Sequence, residues 1–438
     1  MDGRMEDVTN TKIADEVQER LAVITEADIL VGIPSYNNAA TIGHVVRAVQ
    51  AGLAKYFPDK KSVLINSDGG STDGTVEAVH KASIEDFHSI FVTHNKRDFF
   101  KISIPYHGIP GKGSAFRTIF EIARRLNVRA CAVVDSDLRS ITPEWIDLLL
   151  RPVIELNYDY VAPYYLRHKY DGTITNSFIY PVTRALYGKR IRQPIGGDFA
   201  FSGDLASFFL EKDVWDTDVA KYGIDIWMTT TAVANHFRVC QSFLGAKIHD
   251  AKDPATDLSG MLYQVIGSTF DLMEIYHDVW KNIKGSEPVP TFGFRYAVGL
   301  EPVIVNYEKM IEKFRLGAKE LSSIWKTFMP DDLHDFIHNE LSRAPVRSFN
   351  IPDDVWAEIV YCFALAYHGK KINREHLLKS LTPLYIGRVA SFVIDTWNSS
   401  AAEVEEKIEN LCISFENKKE LLIKNWEGKT DLKGEQTK

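Results

Sequence analysis

Apolar runs and amphipathic stretches alternate along the chain after residue 28. Ile29 to Ile33 is a short apolar run typical of a buried strand. Ala39 to Tyr56 carries apolar residues three and four positions apart, which is the spacing of a helix that faces a core. Further predicted strands are 62–66, 89–93 and 130–134, and further predicted helices are 72–82 and 114–126. This order predicts an α/β fold with a mostly parallel central sheet and helices on both faces.

The loops that follow the predicted strands are the places to look for chemistry. Ligands of parallel sheets bind beyond the carboxyl ends of the strands. The loops of interest therefore begin after Ile33, Asn66 and Val134.

A different pattern covers the last third of the chain. Residues 284–290 have the composition of a linker, and apolar residues then recur at helical spacing over 303–328, 353–367, 374–396 and 401–426. We expect these helices to pack on the sheet domain or on a second copy of the chain, as in a homodimer. The predicted divisions are a leader over 1–28, a sheet domain over 29–283, a helical domain over 291–428 and a flexible tail over 429–438.

Composition and charge narrow the class of protein. The 438 residues include 51 basic and 59 acidic side chains, for a formal net charge of −8, and we therefore expect no nucleic-acid partner. The four cysteines are far apart, which argues against a disulfide or zinc framework and for a reducing compartment. The polar N-terminus resembles no signal peptide, and no apolar run approaches about 18 residues, so we expect no membrane span and a cytoplasmic enzyme.

Two carboxylates follow the last predicted strand of the sheet. Asp135 and Asp137 flank Ser136 at the end of an apolar run, where a small turn lets both reach one cation. Hard oxygen ligands of this kind suit Mg²⁺ or Mn²⁺, which in turn bind a diphosphate. The alternative interpretation is that Asp137 caps a helix. A helix cap would not explain why the carboxylate of Asp135 lies at the buried end of a strand.

Three other segments are predicted to lie at the same edge of the sheet. Residues 32–37 (GIPSYN) end the first strand, and residues 66–75 (NSDGGSTDGT) end the second with a carboxylate and glycines for tight backbone. Residues 108–113 (GIPGKG) place a lysine between glycines just before a helix, which suits a phosphate contact. Each segment alone is typical of a turn, whereas together they favour a pocket for a nucleoside diphosphate.

At this point the sequence resembles the nucleotide-sugar glycosyltransferases of the GT-A fold. The resemblance rests on IPSYNN, NSDGGSTDGT and DSD, and it extends through QPIGGD (193–198), YGIDI (222–226), LGAKIH (244–249) and MLYQVI (261–266). That order is similar to the retaining glucosyl-3-phosphoglycerate synthase and glucosylglycerate synthase group, with mannosylglycerate synthase more distant. It covers roughly residues 28–275 and leaves the helical third unmatched.

The resemblance implies a role for particular residues of this chain. It implies a divalent metal, Mg²⁺ or Mn²⁺, with the ligands Asp135, Asp137 and His249. Carboxylates near the reacting sugar, with catalytic roles, would be Asp198 and Asp225. The implied contacts to the donor nucleotide are Pro34, Ser35, Tyr36, Asn37, Asp68, Lys112, Asp135 and Ser136.

The implied acceptor loop departs from the pattern of the group. The group reads Gly-Arg-x-Thr where this chain has Gly172-Thr173-Ile174-Thr175, and it is rich in Arg after the metal histidine, where this chain has Lys252. Arg is the preferred bidentate partner of phosphate and carboxylate. We therefore expect Gly172, Thr173, Thr175 and Lys252 to bind a small anionic acceptor through one carboxylate, which favours glycerate over 3-phosphoglycerate.

The resulting expectation is a metal-dependent retaining glycosyltransferase. It would move a hexose, with glucose preferred, from a nucleoside-diphosphate sugar to glycerate or 3-phosphoglycerate, giving a compatible solute of the glucosylglycerate type. An inverting transferase that acts on a saccharide or lipid acceptor shares the IPSYNN and DSD features. A nucleotidyltransferase and a non-catalytic binding scaffold are the alternatives from other classes.

Overall fold

The computed structural model describes residues 24–82, 100–106, 109–249, 259–295 and 299–428. The predictions for most of the leader, for the strand over 89–93, and for the tail lie outside these residues. The chain separates into two compact units, the first made of residues 1–160 and 197–221 and the second of residues 161–196 and 222–438. The predicted domain limits stay a prediction beside this division.

Ten strands and fourteen α-helices are found in the described residues. The strands are β1 Ile29–Ser35, β2 Ser62–Asp68, β3 Phe100–Pro105, β4 Ala130–Val133, β5 Tyr160–Leu166, β6 Lys189–Arg190, β7 Phe199–Ser202, β8 Val239–Ala246, β9 Glu287–Pro288 and β10 Thr291–Phe292. The helices are α1 Ala39–Tyr56, α2 Thr75–Lys81, α3 Lys112–Arg125, α4 Pro143–Leu156, α5 Tyr180–Tyr187, α6 Gly203–Leu210, α7 Ile224–Ala234, α8 Ser259–Ile275, α9 His277–Trp280, α10 Tyr307–Trp325, α11 Asp331–Glu340, α12 Asp353–His368, α13 Arg374–Thr396 and α14 Ala401–Trp426.

The sheet of the first unit runs in the order β7-β4-β1-β2-β3. β1 pairs in parallel with β2 and with β4, β2 pairs in parallel with β3, and only β7 runs antiparallel to its neighbour β4. All residues of β1, β2 and β4 are buried, as expected for parallel strands that are covered on both faces. The predicted mostly parallel sheet with flanking helices is confirmed.

The observed elements differ from the sequence pattern at two places in this unit. β3 occupies residues 100–105, where the apolar pattern predicted no strand. α2 begins at Thr75 instead of residue 72, because the Asp73 carboxylate accepts the backbone N–H groups of Ala39 and Thr75. Those bonds hold residues 72–74 as a loop, and the helix starts after them.

The second unit contains a small sheet and most of the helices. Its strands run in the order β10-β8-β5, and β6 pairs separately with β9, so the predicted linker over 284–290 contains a short strand. The helices α10, α12, α13 and α14 match the four predicted helical stretches. The pattern did not predict α11, a ten-residue helix that buries only Leu333, Ile337 and Glu340.

One described helix, α13, is long and apolar enough to cross a membrane by length and composition. The sequence of this helix has no uninterrupted apolar run that would predict a membrane span, because it carries Arg374, Lys379 and Arg388. In this structure 78% of its apolar window is buried inside the protein, which is also typical of a core helix.

Buried cations join α14 to α5 within the second unit. The Arg184 side chain is 2% exposed and donates to the carboxylates of Glu409 at 2.6 Å and Glu416 at 2.9 Å. The Lys419 ammonium donates to the backbone carbonyls of Ala185 at 2.9 Å and Ile283 at 2.7 Å. Because a buried charge is costly without partners, these bonds fix the register of α14 on α5.

The Arg184 pair gives a testable prediction. Replacing Arg184 by Met leaves the Glu409 and Glu416 carboxylates without their cation. We expect the free energy of unfolding to fall by about 3 kcal/mol, at the lower end of the range for broken buried pairs because Glu409 is 43% exposed. Urea denaturation followed by circular dichroism measures this change.

The control replaces a lysine of the same unit whose ion pair is exposed. Lys379 pairs with Glu375 at 2.6 Å, with side chains 64% and 56% exposed. Lys379→Met should cost less than about 1 kcal/mol. Equal losses in the two variants would contradict the anchoring role of Arg184.

Candidate active site

The loops after β1 and β2 are joined through the Asp68 carboxylate. Its Oδ1 accepts the hydroxyls of Ser35 at 2.8 Å and Ser71 at 2.6 Å, and its Oδ2 accepts the backbone N–H groups of Gly70 and Ser71. The Asn66 amide donates to the Ser35 hydroxyl at 2.8 Å. Asp68 and Ser35 are 5% and 6% exposed, so both act mainly in shaping the loops.

The residues that follow Ser35 continue this loop network. Asn37 donates its backbone N–H to the Ser71 hydroxyl at 2.8 Å, and its side-chain oxygen accepts from the Thr72 N–H. Pro34 is buried within β1. The Tyr36 ring is 63% exposed, so of the predicted nucleotide contacts on this loop it offers the largest accessible surface. An exposed ring beside ordered loops can stack on a base.

Asp135 lies just beyond β4 and has two anchors. Its carboxylate Oδ1 is 2.8 Å from the ammonium of Lys112, which is the first residue of α3. Its backbone N–H donates to Oδ1 of Asp198 at 2.7 Å. The Asp198 side chain is fully buried. The Ser136 hydroxyl, one residue further, donates to the side-chain oxygen of Asn38 at 2.8 Å. The structure thus brings Lys112, Asp135 and Asp198 together, while their roles in a site stay a prediction.

The glycine after Lys112 is required by close backbone packing. Gly113 donates its N–H to the Lys221 carbonyl at 3.2 Å. A Cβ at Gly113 would lie 1.9 Å from the Val219 carbonyl oxygen, and one at Gly111 would lie 2.4 Å from the Ala220 carbonyl oxygen. The first turn of α3 therefore packs directly on the backbone of residues 219–221. This contact sets the position of the Lys112 backbone.

The second unit holds the predicted histidine ligand. Nε2 of His249 lies 3.6 Å from Oδ2 of Asp171, and Nη1 of Arg167 lies 3.9 Å from the same oxygen. Burial alone would raise the pKa of Asp171, but the neighbouring His249 and Arg167 side chains outweigh it and lower that pKa to about 2. Asp171 is therefore ionised at neutral pH and faces the imidazole ring of His249.

The predicted acceptor residues belong to the same unit, with the exception of Lys252, which lies outside the described residues. Gly172 has a φ of +69°, a backbone conformation that favours glycine. Thr173 is 2% exposed and its hydroxyl bonds to that of Tyr385 at 2.7 Å, while Thr175 is 6% exposed. Asp225, the second predicted carboxylate at the sugar, is the second residue of α7 and is 8% exposed.

No group of three or more His, Cys, Asp or Glu side chains in the described part of the chain is arranged to hold a metal ion. The three-ligand set therefore stays a prediction. The chemistry of the first unit fits a cation in part, because Asp135 and Asp137 supply hard carboxylate oxygens directly after β4.

Several residues of these networks were not predicted from the sequence. Three of them are small polar residues inside the quoted motifs, namely Asn38, Asn66 and Ser71. Their position in these motifs indicated that they lie near the site, although the sequence assigned them no role. Asp171 and Tyr385 had no such signal. Tyr385 is more than 200 positions from its partner Thr173, and only the fold brings the two together.

Comparison with known proteins finds a family model that matches part of the chain. Residues 30–214 match the model of the family described as glycosyl transferase family 2. No curated protein sequence matches the chain.

Solved structures show only distant likeness. A crystal structure of glucosyl-3-phosphoglycerate synthase from Mycobacterium tuberculosis with Mn²⁺, uridine diphosphate and glucosyl-3-phosphoglycerate is 21% identical, covering 58% of this chain and 83% of that one, with a TM-score of 0.42. The same enzyme with phosphoglyceric acid is 20% identical over 60% of this chain and 84% of that one, with a TM-score of 0.43. At TM-scores below 0.5, these likenesses establish neither a substrate nor a mechanism for this chain.

The close packing at Gly113 gives a second prediction. Gly113→Ala places a methyl group against the Val219 carbonyl oxygen, so the first turn of α3 must shift. We expect a loss of about 2 kcal/mol in the free energy of unfolding, as for other overpacked sites. Thermal and urea denaturation measure the loss.

Gly43, in α1 of the same unit, is the matched control. A Cβ at Gly43 would lie 3.5 Å from the nearest atom, the Arg47 guanidinium, which is ordinary contact. Gly43→Ala should leave stability unchanged or raise it by up to about 1 kcal/mol, because alanine favours the helix. A Gly113→Ala protein as stable as Gly43→Ala would refute the packing argument.

Proposed function

We propose that the chain is a nucleotide-sugar glycosyltransferase, and more narrowly a metal-dependent, retaining hexosyltransferase, which the match of residues 30–214 to the glycosyl transferase family 2 model supports. The donor in this proposal is a nucleoside-diphosphate hexose, with glucose preferred. The acceptor is glycerate or 3-phosphoglycerate. We also propose that the enzyme is cytoplasmic and that it has no nucleic-acid partner.

The pairing of Lys112 with Asp135 is the observation that carries this proposal. A lysine at the start of a helix, directly beside a carboxylate that ends a parallel strand, supplies a cation where ligands of such sheets bind. The N-terminus of α3 adds a partial positive charge at the same place. This combination suits a substrate with a diphosphate leaving group, because Lys112 can exchange the Asp135 carboxylate for a phosphate oxygen.

The metal in this proposal is held by Asp135, Asp137 and His249. When bound, a divalent cation supplies Lewis-acid neutralisation of the diphosphate charge. The chain's own contribution is the orientation of these side chains. Asp198 fixes the backbone of Asp135, and the Asp171 carboxylate faces Nε2 of His249, an outer partner of the kind that metal-binding histidines use.

The donor nucleotide is bound by the loops of the first unit. Tyr36 offers an exposed ring for the base, while Ser35, Asp68 and Asn37 hold the loops that carry it. In a retaining transfer the acceptor hydroxyl attacks from the face of the leaving group, and its proton passes to the departing phosphate oxygen. Asp225 is proposed to stabilise the positive charge that develops on the sugar ring.

The proposal is tested by pairing donors and acceptors. UDP-, GDP- and ADP-glucose are each incubated with D-glycerate or 3-phosphoglycerate and Mg²⁺ or Mn²⁺. We expect acceptor-dependent release of the nucleoside diphosphate and, by NMR of the product, an α-glycoside. Absence of turnover with every pair would overturn the glycerate acceptors, a β-glycoside would overturn retention, and release of pyrophosphate would indicate a nucleotidyltransferase.

A second test concerns Asp198, which the resemblance made a catalytic carboxylate. Its burial and its bond to the Asp135 N–H support a positioning role instead. Asp198→Asn keeps an oxygen that can accept this N–H, whereas Asp198→Ala does not. Since loss of a buried acceptor costs about 1–3 kcal/mol, we expect kcat to fall by about 10- to 100-fold in Asp198→Ala and by much less in Asp198→Asn.

The comparison between the two Asp198 variants distinguishes the roles. A catalytic carboxylate would lose activity equally in Asp198→Asn and Asp198→Ala, because neither carries a negative charge. Asp204, an exposed aspartate in the first turn of α6, is the matched control, and Asp204→Ala should leave kcat unchanged.

A further inference from the structure

The threonines of the predicted acceptor loop are not available to an anion. The Thr173 hydroxyl is occupied by Tyr385, and both Thr173 and Thr175 are more than nine-tenths buried. An acceptor carboxylate needs a cationic partner among the groups that face it. The residues around Gly172 supply one.

Arg167 is that partner by position. It is the first residue after β5, and its Nη1 lies 3.2 Å from the point where a Cβ on Gly172 would be. The guanidinium therefore covers the Gly172 turn, in space that a larger residue would fill. Its side chain is 16% exposed, so part of it remains accessible.

The Arg167 guanidinium has few partners among the described residues. Its Nε–H is buried without a hydrogen-bond acceptor there, and the Asp171 carboxylate, at 3.9 Å from Nη1, is beyond hydrogen-bond distance. A guanidinium carries five donors in a planar fork that matches a carboxylate. An incoming carboxylate would satisfy donors that the chain leaves open.

The surroundings help to hold the Arg167 guanidinium in place. The Tyr165 ring lies 5.4 Å from Cζ of Arg167 and 5.2 Å from Nζ of Lys247, within the range of cation–π contact. Asp171 is the carboxylate that faces Arg167, and it is shared with His249.

From these contacts we infer that Arg167, seated over the Gly172 turn, binds the carboxylate of a small hydroxy-acid acceptor. The inference rests on the proposed function and deepens it, because it replaces Thr173 and Thr175 as the anion-binding groups. One guanidinium is matched to one carboxylate, the group that glycerate and 3-phosphoglycerate share.

The experiment compares wild type with Arg167→Lys and Arg167→Gln. Steady-state kinetics give KM for each acceptor, D-glycerate and 3-phosphoglycerate, and for the sugar nucleotide, and calorimetry gives the Kd of D-glycerate. We expect KM and Kd for D-glycerate to rise at least tenfold in Arg167→Gln and less in Arg167→Lys. KM for the sugar nucleotide should stay within about twofold of wild type.

The matched control is Arg374→Lys, which alters an arginine of the same unit that pairs with Asp271 at 3.2 Å. It should change KM for neither the acceptor nor the donor. If only the phosphorylated acceptor shows a raised KM in Arg167→Gln, Arg167 binds the phosphate and the inference is overturned. An unchanged Kd for D-glycerate would also overturn it, as would equal changes in acceptor and donor KM, which indicate a structural role.

Failure of the proposed function is a separate result. If wild type transfers sugar to neither acceptor and does not bind D-glycerate, the proposed acceptor class is wrong before any variant is compared. If wild type uses D-glycerate and Arg167→Gln uses it equally well, only the inference about Arg167 falls.

Discussion

The structure around the candidate site depends on the position of Asp135. Its backbone N–H is bound by Asp198, while its carboxylate faces the ammonium of Lys112. Asp198 supplies the acceptor for that N–H from a fully buried position. A buried carboxylate is costly unless hydrogen bonds satisfy it, so its presence here is explained by the position it gives to Asp135. Because β7, which begins one residue after Asp198, is antiparallel to β4, the strand pairing itself brings the two aspartates together.

Lys112 meets Asp135 through a second set of backbone constraints. Glycines at 111 and 113 let the first turn of α3 approach the 219–221 backbone more closely than any side chain would allow. Lys112 is therefore positioned by main-chain packing, and its ammonium lies 2.8 Å from Oδ1 of Asp135. Under the proposed function, the Lys112 ammonium would exchange the Asp135 carboxylate for a phosphate oxygen of the donor.

The sequence predicted much of this arrangement, and the limits have physical causes. Apolar periodicity located β1, α1, β2 and β4 because these elements are buried on the faces that the pattern records. It did not locate β3, whose second residue is Lys101. The Lys101 ammonium donates to backbone carbonyls such as that of Val79. The chemical types at strand ends pointed to Asp68, Lys112 and Asp135, because the carboxyl edge of a parallel sheet is a property of topology.

Pairs that depend on distant segments could not be predicted in this way. Motif resemblance pointed to Thr173 as an acceptor contact, yet its hydroxyl is used by Tyr385 of α13. The sequence around residue 173 does not indicate this partner, since Thr173 and Tyr385 lie 212 positions apart. The same limit applied to Asp171, which precedes a recognised loop but gains its role from His249.

The helical third of the chain acquires a function from these contacts. The family match ends at residue 214, whereas the segment over 169–177, a turn that leads into a helix, is held from residues far beyond it. The Lys169 ammonium donates to the Thr396 carbonyl at 2.7 Å, and the Trp356 indole donates to the Ser177 carbonyl at 2.6 Å. Since α12 and α13 hold both ends of this segment and Tyr385 bonds to Thr173 at its centre, the C-terminal helices shape the surface over which Arg167 lies. Under the proposed function, the helical region would therefore shape acceptor binding as much as residues 30–214, which match the family model.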